Sequence, residues 1–148
     1  MKKQYQIVPI GIVKKTEEAT WIEIYEEYKE GLLNLEGFSH LVTLWWIHKR
    51  DNQKDRAILQ VHPRVKGSQK DTPLSGVFTT RSPVRPNPIG LTIVKILSIN
   101  KRKIFIDYTD AIDGSPIIDL KPYIPNSDCI LNTSVPEHME PIAEPRKE

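Results

Sequence analysis

The chain has 148 residues, a length that suits one domain and buries a core without staples. It is 39% hydrophobic and 27% charged with a formal net charge of +2, an ordinary globular balance that does not by itself call for nucleic acid. Cys129 is the only cysteine, which excludes an internal disulfide framework and fits a reducing cytoplasm.

The opening "MKKQYQIVPIG" has lysines with no long apolar stretch behind them, so no signal peptide is expected. "YQIVPIGIVKK" predicts a strand interrupted at Pro9. "TWIEIYEEY" is predicted as strand because Trp21, Ile22, Ile24 and Tyr25 are good strand formers. Leucines between Gly31 and Gly37 predict one or two helical turns. "SHLVTLWWIHK" predicts a buried strand, too short to span a bilayer, and Phe38, Leu41, Leu44, Trp45 and Trp46 read as core. Lys49 to Arg56 reads as a charged loop and "RAILQVHP" as a strand ended by Pro63. "PRVKGSQKDTPLSG" reads as a long polar loop of the kind that marks function or mobility. Further on, "LTIVKILSI" and "KIFIDYTDA" flank "NKRK" as a β-hairpin, "DGSP" is a turn, and "IIDLKPYIP" is a short extended piece. "SVPEHMEPIAEPRKE" reads as a loosely held tail. Short strands with little helical periodicity predict a mainly all-β sandwich or barrel with one or two short helices. One domain is expected over residues 1–133, followed by a tail over 134–148.

Charge is uneven. Glutamates crowd the first quarter, and Arg64, Lys66, Lys70, Arg81, Arg85, Lys95, Lys101, Arg102 and Lys103 crowd the middle. The basic centre suits a phosphate-bearing partner, and solvated loops are the plainer reading. The histidines are scattered, and HExxH, CxxC, P-loop and GxGxxG patterns are missing, so neither a metal nor the usual nucleotide-binding α/β fold is expected. A lone cysteine such as Cys129 reads as inert packing.

Three segments carry candidate chemistry. "GVFTTRSPVRPNPIGLT" sets Pro83, Pro86 and Pro88 around Arg81 and Arg85. Each proline fixes its own φ and restricts its predecessor, so the loop is stiff before a ligand arrives. The arginine forks suit carboxylate or phosphate, and Thr79, Thr80, Ser82 and Asn87 add neutral hydrogen-bonding groups. An irregular crossover with solvated arginines is the alternative. In "DAIDGSPIIDLKPYIP", Asp110, Asp113, Asp119, Lys121 and Tyr123 fall in one turn-plus-strand unit, which also reads as a plain turn with a surface ion pair. In "EGFSHLVTLWW", His40 stands at a strand start, as a pocket residue or a structural one.

"FSHLVTLWW", "GVFTTRSPVRPNPIGLT" and "DGSPIIDLKPYIP" occur in this order in the TrmO/TsaA-like proteins, which the chain resembles from about Ile7 to about Asp128. That family includes S-adenosylmethionine-dependent tRNA methyltransferases. The resemblance implies a small β-barrel that dimerises, with the methyl donor S-adenosyl-L-methionine near the subunit interface, a cytoplasmic setting and tRNA as partner. It implies methylation of the exocyclic amine of a threonylcarbamoyl-modified adenosine beside the anticodon. Thr80, Arg81, Ser82, Arg85, Pro86, Asn87 and Pro88 then belong to the donor and substrate site, Asp113, Gly114, Asp119, Lys121 and Tyr123 to a second wall, and His40 to the substrate side. Val84 stands where many members carry histidine, and the chain reads as the short form without the C-terminal domain of longer bacterial members.

Methyl transfer from a sulfonium is an in-line displacement that needs positioning more than acid or base. An arginine beside the positive sulfonium is unfavourable, so one arginine is assigned to the donor's methionine carboxylate and another to a phosphate or the substrate carboxylate. The acceptor amine must lose a proton, and Asp113 or Asp119 is the candidate base. A small-molecule or protein acceptor, or a non-catalytic donor- or RNA-binding module, are the competing readings.

Overall fold

The computed structural model describes residues 1–64 and 71–140. In chain order the strands and helices are β1 (Gly11–Lys15), β2 (Thr20–Ile24), β3 (His40–Trp46), α1 (Gln53–Arg56), β4 (Gln60–Val61), β5 (Ser75–Gly76), β6 (Ile89–Asn100), β7 (Lys103–Ile106), β8 (Pro116–Pro122) and α2 (Pro125–Asp128). Six strands close in the order β1-β2-β7-β6-β3-β8, with β8 returning to β1, and β4 pairs only with β5. All the pairings are antiparallel, and β1–β2 and β6–β7 are joined by short turns.

One face of each strand fills the barrel. Val13, Ile22, Ile24, Leu41, Trp45, Val94, Ile104, Ile106, Ala111 and Ile117 form a single cluster. A barrel this small is packed by its inward side chains, so it has a core rather than a pore. Closure also corrects the reading of β3. Only Leu41, Thr43 and Trp45 point inward, while Val42, Leu44 and Trp46 are half-buried and Phe38 is exposed. An apolar run does not reveal that one of its faces looks out of a barrel.

The expected strand, turn and hairpin signals hold where pairing partners exist. The β6–β7 hairpin turns at Lys101, whose φ of 54° is left-handed, and "DGSP" turns at Gly114 with φ 85°. The first strand starts only at Gly11, and Tyr5, Ile7 and Val8 are exposed. The strand expected over "TWIEIYEEY" ends at Ile24, and Glu26–Leu32 and Leu35–Gly37 form 3-10 turns. "RAILQVHP" yields a two-residue strand, and the loop expected around it lies partly outside the described residues. Cys129 is exposed rather than packed. Within the expected tail, described to Glu140, His138 and Met139 are half-buried. Among the described residues no helix is long and apolar enough to cross a membrane.

The pairing of β3 with β6 decides where the functional loops emerge. Trp46 lies opposite Ile89, and Ile47 N–H extends the ladder by donating to the Pro88 carbonyl at 2.7 Å. The chain therefore leaves the barrel after Trp46 and re-enters it at Ile89 at one and the same end. Val77 N–H donates to the Leu59 carbonyl at 2.9 Å, which ties the two halves of this excursion together.

Candidate functional site

The outgoing half of the excursion holds α1. Asn52 caps it, its Oδ1 accepting from Asp55 N–H at 2.9 Å. The single turn presents Arg56, whose Nε–H donates to the Pro86 carbonyl at 2.8 Å. Nη2 donates to Asn87 Oδ1 at 3.4 Å, and Nη1 to Asp51 Oδ1 at 3.0 Å. Asp51 also accepts from Trp46 Nε1–H at 3.0 Å, and the guanidinium lies 5.8 Å from the Trp46 ring. The Trp46 hydrogen bond first, then Arg56, hold the Asp51 carboxyl below its ordinary value. A segment that reads as a charged loop thus clamps the proline-rich segment from 30 residues away.

The proline-rich segment also holds itself. Val77–Thr79 make one 3-10 turn. Thr80 is buried, donating to the Val77 carbonyl at 3.1 Å and accepting from Ser82 N–H at 3.2 Å. Arg85 Nη1 donates to the carbonyls of Thr80 and Ser82, both at 3.1 Å. Part of the Arg85 fork is therefore spent on shaping the loop. Arg81 is exposed and makes no hydrogen bond or ion pair among the described residues.

This segment walls a cavity of about 760 Å³ at the open end of the barrel. Its lining includes Thr80, Arg81, Arg85 and Asn87 of the proline-rich segment, Trp45 of β3, Gly90 of β6, and Asp110, Ile112 and Ser115 from the stretch before β8. Gly90 is required there, since a Cβ would collide with the Trp45 indole. Trp45 is held by Nε1–H donating to Thr92 Oγ1 at 3.2 Å. Asp110 accepts from the Tyr108 hydroxyl. Two of the lining residues, Ser115 and His48, keep their Oγ and Nδ1 buried from solvent without a hydrogen-bond partner among the described residues.

The other expected site residues sit elsewhere in the chain. Ser82 lines a neighbouring groove. Pro86 and Pro88 contribute carbonyls to the clamp and to the ladder, and Pro88 is fully buried. Asp113 and Gly114 dock the turn on β1: Asp113 Oδ1 accepts from Lys15 N–H at 2.8 Å, and Gly114 N–H donates to the Val13 carbonyl at 2.8 Å. Asp119 pairs with Lys121 at 2.9 Å on β8. Tyr123 N–H donates to the His40 carbonyl at 3.1 Å, and the two rings stand 6.3 Å apart, edge to face. That pair marks the far end of β3, four to five residues from the cavity-lining level of Leu91 and Trp45, or roughly 13–17 Å at the strand rise. Within one chain the structure unites the proline-rich residues and leaves His40, Asp119, Lys121 and Tyr123 apart from them. The sequence reading missed His48, Ser115 and Phe78, and passed over Asp110 for Asp113.

Residues 2–129 match the family described as tRNA-methyltransferase O N-terminal domain. A probable S-adenosyl-L-methionine-binding protein of Methanocaldococcus jannaschii is 46% identical over 125 residues, covering 84% of this chain and 97% of that one. A tRNA (adenine(37)-N6)-methyltransferase of Homo sapiens is 38% identical over 121 residues, covering 82% of this chain and 25% of that one. The crystal structure of TrmO from Pseudomonas aeruginosa superposes with a TM-score of 0.71 at 22% identity, over 95% of this chain and 64% of that one, and supports the fold. The chain thus spans nearly all of the archaeal relative, less than two thirds of the TrmO structure and a quarter of the human enzyme.

Proposed function

The chain belongs to the tRNA-methyltransferase O N-terminal domain family, and from that premise we propose that the cavity binds S-adenosylmethionine and that the chain methylates tRNA in the cytoplasm. The acceptor we assign is the exocyclic amine of the threonylcarbamoyl-modified adenosine beside the anticodon.

The observation that carries the donor site is the cavity itself, which gathers Arg81, Arg85 and Asp110 with the apolar faces of Trp45, Ile47, Phe78 and Ile112 in one hollow of about 760 Å³. Its lining matches the parts of the donor. Trp45, Ile47, Phe78 and Ile112 offer apolar faces for the adenine, and Arg81 and the unspent part of Arg85 suit the carboxylate. The volume falls within the range of roughly 300–1,000 Å³ usual for small-molecule sites.

When bound, the donor supplies an electrophilic methyl group on a sulfonium. The chain's own task is alignment, and the clamped, proline-stiffened wall provides it without an ordering cost at binding. The acceptor nitrogen sheds a proton, and Asp110 is the carboxylate in the cavity wall able to receive it. Asp113 and Asp119 take that role only across a subunit interface. Such an interface has a natural place. Ile89, Leu91, Ile93 and Leu97 project outward along β6, 41, 42, 39 and 60% exposed, and Ile89 and Leu91 also line the cavity. A second copy on this apolar row completes the homodimer at the cavity rim, and it is the route by which His40, Asp119, Lys121 and Tyr123 join the site.

Calorimetric titration with S-adenosylmethionine, followed by labelled methyl transfer to tRNA, tests the reading. Asp110→Asn should bind the donor within twofold of the parent and lose about 10²-fold in rate. Undiminished transfer by Asp110→Asn moves the base to Asp113 or Asp119. Donor binding with no transfer to tRNA replaces the enzyme with a binding module or points to another acceptor.

A further inference from the structure

Behind the proline-rich wall lies a second groove, of about 820 Å³. The two hollows share a partition, since Phe78, Thr80, Arg81 and Pro83 line both, and Arg50 also reaches both. The groove differs from the cavity in charge. Arg50, His62, Arg64 and Arg81 line it, with no carboxylate among its described lining residues. Arg64 and Arg81 make no ion pair or hydrogen bond among the described residues, and Arg50 has one long contact to Asp55, 3.5 Å. His62 is oriented by Nδ1–H donating to the Thr72 carbonyl at 2.8 Å, which leaves Nε2 as its remaining polar atom.

Cations gathered in a concave surface without counter-charges create a positive potential that draws anions. Guanidinium forks suit phosphate oxygens in particular. Four basic side chains spread along one groove exceed what a single phosphate needs and match a run of them. We propose that this groove is the track for the sugar–phosphate backbone of the acceptor RNA, with Arg64, Arg50 and Arg81 on successive phosphates. The partition at 78–83 then separates backbone from donor, and the target base crosses it to meet the methyl group, with Arg81 at the crossing. This rests on the reading that the acceptor is RNA, and adds where the RNA lies and which side chains hold it.

The test uses the full chain, a fluorescent anticodon stem-loop RNA and a salt series, with S-adenosylmethionine titrated in parallel. Arg64→Ala should weaken RNA binding about tenfold at low salt and reduce the slope of log K against log salt by about 0.7–0.9, the share of one phosphate. Arg64→Glu should weaken it further, and both variants should keep donor affinity within twofold of the parent. RNA affinity and slope unchanged in both variants would overturn the groove while leaving RNA as acceptor. A parent protein that binds the donor but no RNA at any salt would overturn both the groove and the RNA reading, with the donor site intact. A nucleoside monophosphate displacing the RNA at concentrations near the stem-loop's own Kd would give the groove to a mononucleotide and also refute the proposal.

Discussion

Arg56 offers the sharpest test of whether the proline-rich wall is preorganised, because it touches that wall and lies outside the cavity lining. Its strongest bond is the 2.8 Å donation to the Pro86 carbonyl, a charge-assisted bond of about 1.5–3 kcal/mol. The Asp51 pair is exposed on both sides and is discounted to roughly 0.2–1 kcal/mol. The contact with Trp46 adds about 0.5 kcal/mol at such a surface site, and the 3.4 Å approach to Asn87 adds little. Arg56→Ala should therefore loosen the wall by about 2 kcal/mol, the larger share of it from one backbone carbonyl. If the loose wall must be re-ordered before the donor binds, the apparent donor Kd rises by up to about 30-fold. Arg56→Lys keeps a charge for Asp51 but lacks the planar fork that serves Pro86, Asn87 and Asp51 together, so it should recover less than half of the loss. Donor titration of parent, Ala and Lys variants, with urea unfolding of each, separates local from global effects. Donor affinity within twofold of the parent for Arg56→Ala, alongside a normal unfolding midpoint, would refute the claim that the clamp prepares the site.

Gly90→Ala drives a Cβ into the Trp45 indole in the barrel wall, so it should cost about 1–3 kcal/mol and lower Tm by roughly 3–10 °C, with donor affinity falling as the cavity lining shifts; an unchanged Tm would show that Trp45 yields freely. The Asp51 carboxyl is held low by Trp46 and Arg56, so its folded value lies below the unfolded one near 3.8. Its contribution is therefore present above that value and fades as pH falls through the lower folded value. Trp46 fluorescence in an acid titration should report this release, and Asp51→Asn should abolish the transition.

What could be read from the sequence follows from how local each signal is. The hairpin at 100–103 and the turn at Gly114 are written in residues that touch their own neighbours, and both stand where their turn chemistry puts them. The "TRSPVRPNPIG" segment was legible as a stiff wall because prolines stiffen a chain whatever surrounds it, and the structure sets it along a cavity. By contrast α1 is a single turn of four residues, too short to show a helical period, and its one cue is Asn52 ahead of Asp55. The strand after it failed to extend because only Ser75–Gly76 came to pair with it. In "DAID", residues 110 to 113, spacing alone does not say which carboxylate turns toward the cavity. The choice is made when Lys15 N–H takes Asp113 and the Tyr108 hydroxyl takes Asp110 at the cavity wall. Least legible of all are His48 and Ser115. Nothing in their neighbours marks them, because they come to line the cavity only when distant segments meet at the barrel end. The same logic separates the two arginines of the wall. Arg85 and Arg81 look equivalent in the sequence, but Arg85 turns back to hold the loop's own carbonyls, whereas Arg81 lines two hollows with no hydrogen bond or ion pair among the described residues. On the proposed reading Arg81 is therefore the residue that joins the donor cavity to the basic groove, and Arg85, bonded to the loop's own carbonyls, keeps the wall between them in shape.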